Sequence, residues 1–142
     1  MSLLGQWPPV ITGQTFEILD TLHRENFMQY RVRFYWTPNE QTEGYLLVPD
    51  KEGKKPAVIT TFYEPETAIG LGGKPYRDFA YQLTKRGFVK LSIGTTKTTE
   101  NQTYSIYYHT IENPTLQPLS ALDYSAAKAW ELFTKIIDVD YT

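Results

Sequence analysis

The chain has 142 residues, 41% of them hydrophobic, enough for one domain with a core of its own and short for two. A net charge of −2 leaves no cationic excess to neutralise phosphates, so nucleic acid is not an expected partner. There is no cysteine, which excludes disulfides, a thiol nucleophile and thiolate-bound metal.

In chain order, residues 1–14 carry Trp7-Pro8-Pro9 and two glycines and read as an irregular leader. The leader lacks the basic start and long apolar stretch of a signal peptide, so no address is legible; the chain is expected to be soluble, with its compartment open and bacterial export compatible. No apolar run approaches the ~20 residues of a membrane-spanning helix. Thr15 to Leu22 suits a strand, and His23-Arg24-Glu25-Asn26 a polar turn. From Phe27 to Trp36 the alternation is strong. Met28, Tyr30, Val32, Phe34 and Trp36 share one face, and Gln29, Arg31 and Arg33 the other. After a turn at Thr37-Pro38-Asn39-Glu40, Gly44 to Val48 gives a further strand, closed by Pro49-Asp50. Residues 15–48 therefore predict an antiparallel meander. The 11 tyrosines fit such a strand-rich composition better than a ligand-stacking surface.

The pattern then changes. Ala57 to Phe62 is a short apolar, β-branched run of the kind covered on both faces. Glu64 to Gly73 is a loop with three glycines. Pro75 is placed to open a helix whose face is Tyr76, Phe79, Ala80 and Leu83, with Lys85-Arg86 near its negative end and Gly87 just past it. Phe88 to Ile93 follows as a second buried strand, so this unit predicts a right-handed crossover between parallel strands. Gly94 to Gln117 is a long polar loop. Pro118 opens the last helix, with an apolar stripe of Leu119, Leu122, Ala126, Ala129, Trp130, Phe133 and Ile137, ended by Asp138-Val139-Asp140. The fold class expected is α/β: a meander at 15–48 leading into a parallel β-α-β-α unit at 56–137, together one partial domain over 15–142. The last helix carries a broad apolar stripe and no strand is expected after it, so the pattern predicts a missing neighbour.

These residues bring a family into view. Gly44-Tyr45-Leu46-Leu47-Val48-Pro49, followed by Lys55-Pro56-Ala57-Val58-Ile59-Thr60-Thr61-Phe62, resembles the second and third strands of α/β-hydrolases. The pattern is most similar to bacterial dienelactone-hydrolase-like and acetyl-xylan-esterase-like serine esterases. Asp78 to Phe88 resembles their first helix and its hand-over to the next strand, Pro118 to Trp130 the helix before the fifth strand, and Ile137 to Asp140 the turn entering it. The resemblance covers roughly residues 43–142 and implies truncation before the nucleophile elbow. No Gly-x-Ser-x-Gly occurs, and the family's acid and histidine follow the serine in chain order, so no catalytic triad residue is expected in this chain. The resemblance implies the N-terminal portion of a serine carboxylic-ester hydrolase acting on an acylated carbohydrate or other small ester. The chain would supply one oxyanion donor and a pocket wall, and would be inactive alone. The donor would be the backbone N–H of Tyr63 or Glu64, which stand where the family usually has His-Gly. No cofactor or metal is expected, and the rest of the hydrolase domain or a second chain would cover the open sheet edge.

The remaining candidates are weaker. His109, with Tyr104, Tyr107 and Tyr108, lies in the long loop on the expected active-site side and forms the candidate substrate-binding set; a loop pinned by its own aromatics is the competing reading. Glu64 and Glu66 are read as solvated loop charges rather than a glycosidase pair. Gly70, Gly72 and Gly73 match neither a Walker loop nor a dinucleotide fingerprint. His23 is expected to be exposed and remote, and Asn101-Gln102-Thr103 is a bare glycosylation sequon. A non-catalytic glycan- or peptide-binding module and a pseudo-enzyme are the alternatives.

Overall fold

A computed structural model describes residues 13, 15–35, 41–62, 64–94, 118–133, 135 and 139–140. The strands are β1 (Glu17–Arg24), β2 (Phe27–Tyr35), β3 (Gln41–Pro49), β4 (Lys55–Thr61), β5 (Val89–Ile93) and β6 (Val139–Asp140). The helices are α1 (Pro65–Ala68) and α2 (Phe79–Lys85), between β4 and β5, and α3 (Pro118–Phe133), between β5 and β6. The strands form one mixed sheet in the order β1-β2-β3-β5-β4-β6. β1, β2, β3 and β5 are successively antiparallel, whereas β4 runs parallel to both β5 and β6. Among the described residues no helix is long and apolar enough to cross a membrane.

The meander forms as its alternation predicts, with a tighter first turn. β1 continues through His23 and Arg24, leaving a two-residue turn at Glu25-Asn26, and Glu25 has a φ of +38°. Two-residue hairpins favour left-handed backbone because its twist matches that of the strands.

Alternation along the strands builds two cores. On one face Val32, Phe34, Leu46, Val89, Leu91 and Ile93 bury against Ala129, Leu132 and Phe133 of α3. On the other, Phe27 and Leu47 pack with Ala68, Ile69 and Ala80 around α1 and α2. Gly44 lies where β3 abuts β5: a Cβ there would stand 2.7 Å from the Ser92 carbonyl oxygen.

Three expectations are corrected. α2 begins at Phe79 rather than after Pro75, because Tyr76 has a φ of +62°, which no α-helix accommodates. Its buried positions are Ala80 and Thr84, while Tyr76 and Phe79 are exposed. The end of α2 is as predicted: Gly87 has a φ of +97°, the Gly87 N–H donates to Thr84 O and the Phe88 N–H to Leu83 O, a Schellman cap. The last helix does have a strand after it: Val139–Asp140 is strand, not turn, and pairs with Lys55 and Pro56. Nor are the described residues of that helix's stripe all left bare. Ala129 and Phe133 are buried against β4 and β5 of the same chain, although Trp130 stays 51% exposed.

Candidate active site

β4 and β5 end side by side. The Phe62 N–H donates to Ile93 O at 3.0 Å, and a Cβ on Gly94 would come within 1.8 Å of the Phe62 carbonyl oxygen, so only glycine lets the two strand ends meet. In open α/β sheets the crevice outside the carboxyl ends of parallel strands is where ligands collect. Here helices α1 and α2 leave on one face and α3 on the other, so the crevice opens beyond Phe62 and Gly94.

Glu64 fronts that crevice. Its carbonyl accepts the N–H groups of Thr67 (3.0 Å) and Ala68 (3.3 Å), while its own N–H donates to no described residue. The side chain is 2% exposed, contrary to its reading as a solvated loop charge. Burial is possible because Lys74 Nζ donates to both carboxylate oxygens, at 2.5 and 2.6 Å, and the Thr67 hydroxyl donates to Oε2 at 2.8 Å. The Lys74 hydrogen bond, supported by Thr67, holds the Glu64 carboxyl below its ordinary value of 4.5 against the effect of burial. A Cβ on Gly72 would stand 2.1 Å from Thr67 Oγ1, so the glycine lets the loop fold back onto α1 and bring Lys74 to Glu64. The Ser92 hydroxyl donates to Pro65 O at 3.2 Å and ties this segment to β5.

Beside it on the same face is a second charged group. Arg31 donates to Glu43 Oε2 (2.9 and 2.6 Å) and Arg33 to Glu43 Oε1 (3.0 Å). Burial alone would raise the Glu43 pKa, but the two guanidinium groups outweigh it and the net shift is downward. The Tyr45 hydroxyl donates to Glu66 Oε1 at 3.5 Å, and burial, aided by the Glu66 charge, pushes Tyr45 up to about 12. Tyr45 therefore serves as a neutral donor and not as a base.

Of the predicted site residues, Glu64 lies at the strand ends; Tyr63, Tyr104, Tyr107, Tyr108 and His109 fall outside the described residues. His23 is exposed and pairs with Asp50 at 2.9 Å, at the opposite end of the sheet, where β3 finishes beside the start of β5. Lys74 and Thr67 were not singled out from the sequence. A lysine ten residues beyond a glutamate in a glycine-rich loop has no periodicity that would reveal the contact.

No family model and no curated protein matches the sequence. Solved structures do. A protein from Bacteroides fragilis assigned as an acetyl xylan esterase superposes with a TM-score of 0.69 at 14% identity, over 96% of this chain and 41% of its own. A glucuronoyl esterase from Teredinibacter turnerae gives a TM-score of 0.50 at 15% identity, over 96% of this chain and 40% of its own. At such identities the likeness is one of fold alone: the chain has an α/β fold with a mixed sheet, similar to that of these esterases. It spans about two fifths of the length of either neighbour.

Proposed function

We propose that the chain forms the first half of the catalytic domain of a serine carboxylic-ester hydrolase acting on an acylated carbohydrate, as its resemblance to acetyl-xylan-esterase-like and dienelactone-hydrolase-like enzymes implies. The observation that carries the reading is the direction of β6. Val139 and Asp140 pair with Lys55 and Pro56 at the start of β4, parallel to it, so a chain continuing this strand travels toward the Glu64 end of the sheet. β4 ends at Thr61, five positions after Pro56, so the turn following such a strand arrives beside the crevice about five residues past Asp140. A serine on that turn, with a histidine base and an acid from later in the chain, would attack the ester carbonyl. The Glu64 N–H, held by the anchored loop, would donate to the developing oxyanion, with the Tyr63 N–H as the alternative. Removing one such donor lowers kcat on the order of 100- to 1,000-fold. The neighbours' names, acetyl xylan and glucuronoyl esterases, support a carbohydrate ester as substrate.

The test is the reading frame that contains this chain. It is expected to encode a Gly-x-Ser-x-Gly elbow within about ten residues of Asp140, and its product to hydrolyse p-nitrophenyl acetate and acetylated xylan. Replacing the elbow serine by alanine is expected to abolish both activities. A frame without that serine, or a folded product inert toward both esters, overturns the proposal.

A further inference from the structure

The α2 face carries a feature the ester chemistry does not use. Tyr76 is 99% exposed, and its φ of +62° lies in the left-handed region that tyrosine enters only at a cost. It stands at the lip of a groove of about 570 Å³, within the range of small-molecule sites, walled by Arg24, Lys74, Asp78, Tyr81 and Gln82. The wall is preformed. The Tyr81 hydroxyl donates to Glu25, and its ring meets Phe27 edge-on at 5.9 Å. Arg24 stacks over both rings at 5.2 and 5.1 Å, and its Nη1 donates to Gln29 Oε1 and Ile69 O. Its Nη2, 3.6 Å from where a Cβ on Gly70 would stand, donates to no described residue. Gln82 Nε2 donates to Asp78 Oδ2 at 2.8 Å.

The charges decide the class of ligand. Lys74 is neutralised by Glu64, which leaves one cation, Arg24, against one anion, Asp78. Such a lining holds no surplus charge for a phosphate or carboxylate. It offers an exposed aromatic face together with hydrogen-bond donors and acceptors, the combination that suits a ring with an apolar C–H face and hydroxyl edges. Lys74 and Thr67 belong both to this groove and to the Glu64 cluster, whereas Arg24 stands at the His23 end of the sheet, so the groove runs along the α1–α2 face away from the crevice at the strand ends.

We propose that the Tyr76 groove binds a neutral pyranose unit of an oligosaccharide, remote from the unit bearing the ester. The substrate is then a chain of sugars and not a free monosaccharide ester. This deepens the carbohydrate-esterase reading, but its readout is binding and needs no turnover.

The full-length protein is titrated with xylohexaose and cellohexaose by calorimetry. At least one is expected to bind. Tyr76→Gly and Tyr76→Asn, which both tolerate the left-handed backbone, are expected to weaken binding at least tenfold without lowering the melting temperature. Tyr76→Phe, which keeps the ring, is expected to stay within twofold. Absence of binding by the wild type overturns the proposal. So does unchanged affinity in both Tyr76→Gly and Tyr76→Asn, or a loss of affinity that only accompanies a lowered melting temperature. A protein that binds in this way yet hydrolyses no ester sinks the esterase reading alone. An active esterase whose affinity ignores Tyr76 sinks the groove alone.

Discussion

Lys90 shows how one side chain can oppose the element that holds it. It lies in β5 between Leu47 and Val58 of the adjoining strands, on the face covered by α1 and α2, and is 1% exposed. Burial pushes its ammonium down from 10.5 to about 8. A depressed lysine pKa means that the folded state pays for the proton at neutral pH, by an upper bound of about 3 kcal/mol at 1.36 kcal/mol per unit. Lys90→Met is therefore expected to stabilise the fold by about 2–3 kcal/mol at pH 7, read by urea unfolding. Between pH 8 and 10.5 the unfolded chain holds a proton that the folded chain has released, so wild-type stability should climb with pH and the advantage of the variant should shrink. A wild-type profile flat across that window would refute this account. Glu64 has the opposite sign: its depressed pKa stabilises the fold above about pH 4.5, an effect lost as pH falls toward the folded-state value. Phe88 to Ile93 is legible as a buried strand from its apolar run, but the lysine within it carries no sign of which face α2 would cover.

Among the elements, the junction of β3 with β5 tolerates little added bulk. Gly44 pairs with Ile93, and a methyl group there would meet the Ser92 carbonyl oxygen at 2.7 Å, a backbone atom that cannot swing aside. Gly44→Ala is expected to cost about 2–3 kcal/mol in chemical denaturation, since overpacking displaces the strands themselves. A cost under 0.5 kcal/mol would show that the strands part easily at this point. The sequence shows Gly44 only as the start of a strand, because its close contact comes from a segment almost fifty residues away. α2 illustrates the same division. Its end is local, set by Gly87, and was legible; its start is set by the backbone of Tyr76, whose reversal of φ no periodicity records.

Over the whole molecule, stability should follow position in the sheet. β3, β5 and β4 sit at its centre between two cores, whereas among the described residues β1 pairs only with β2 and leaves most of its side chains exposed. Amide hydrogen exchange is expected to be fastest in Glu17–Arg24 among the long strands and slowest in Leu46, Leu47, Leu91 and Ile59. Protection of β1 equal to that of β5 would mean that a partner covers the edge.

Period-two alternation, the Schellman glycine and the apolar runs at β4 and β5 sufficed to establish from the sequence alone a meander followed by a parallel β-α-β unit. These are short-range properties, since each residue's preference acts within one turn or one strand. The insertion of β5 between β3 and β4, the burial of Glu64 beneath Lys74, the pairing of β6 and the groove at Tyr76 were decided only in the tertiary structure. Each depends on desolvation and contact between segments far apart in the chain, and those terms have no value until the chain has closed on itself.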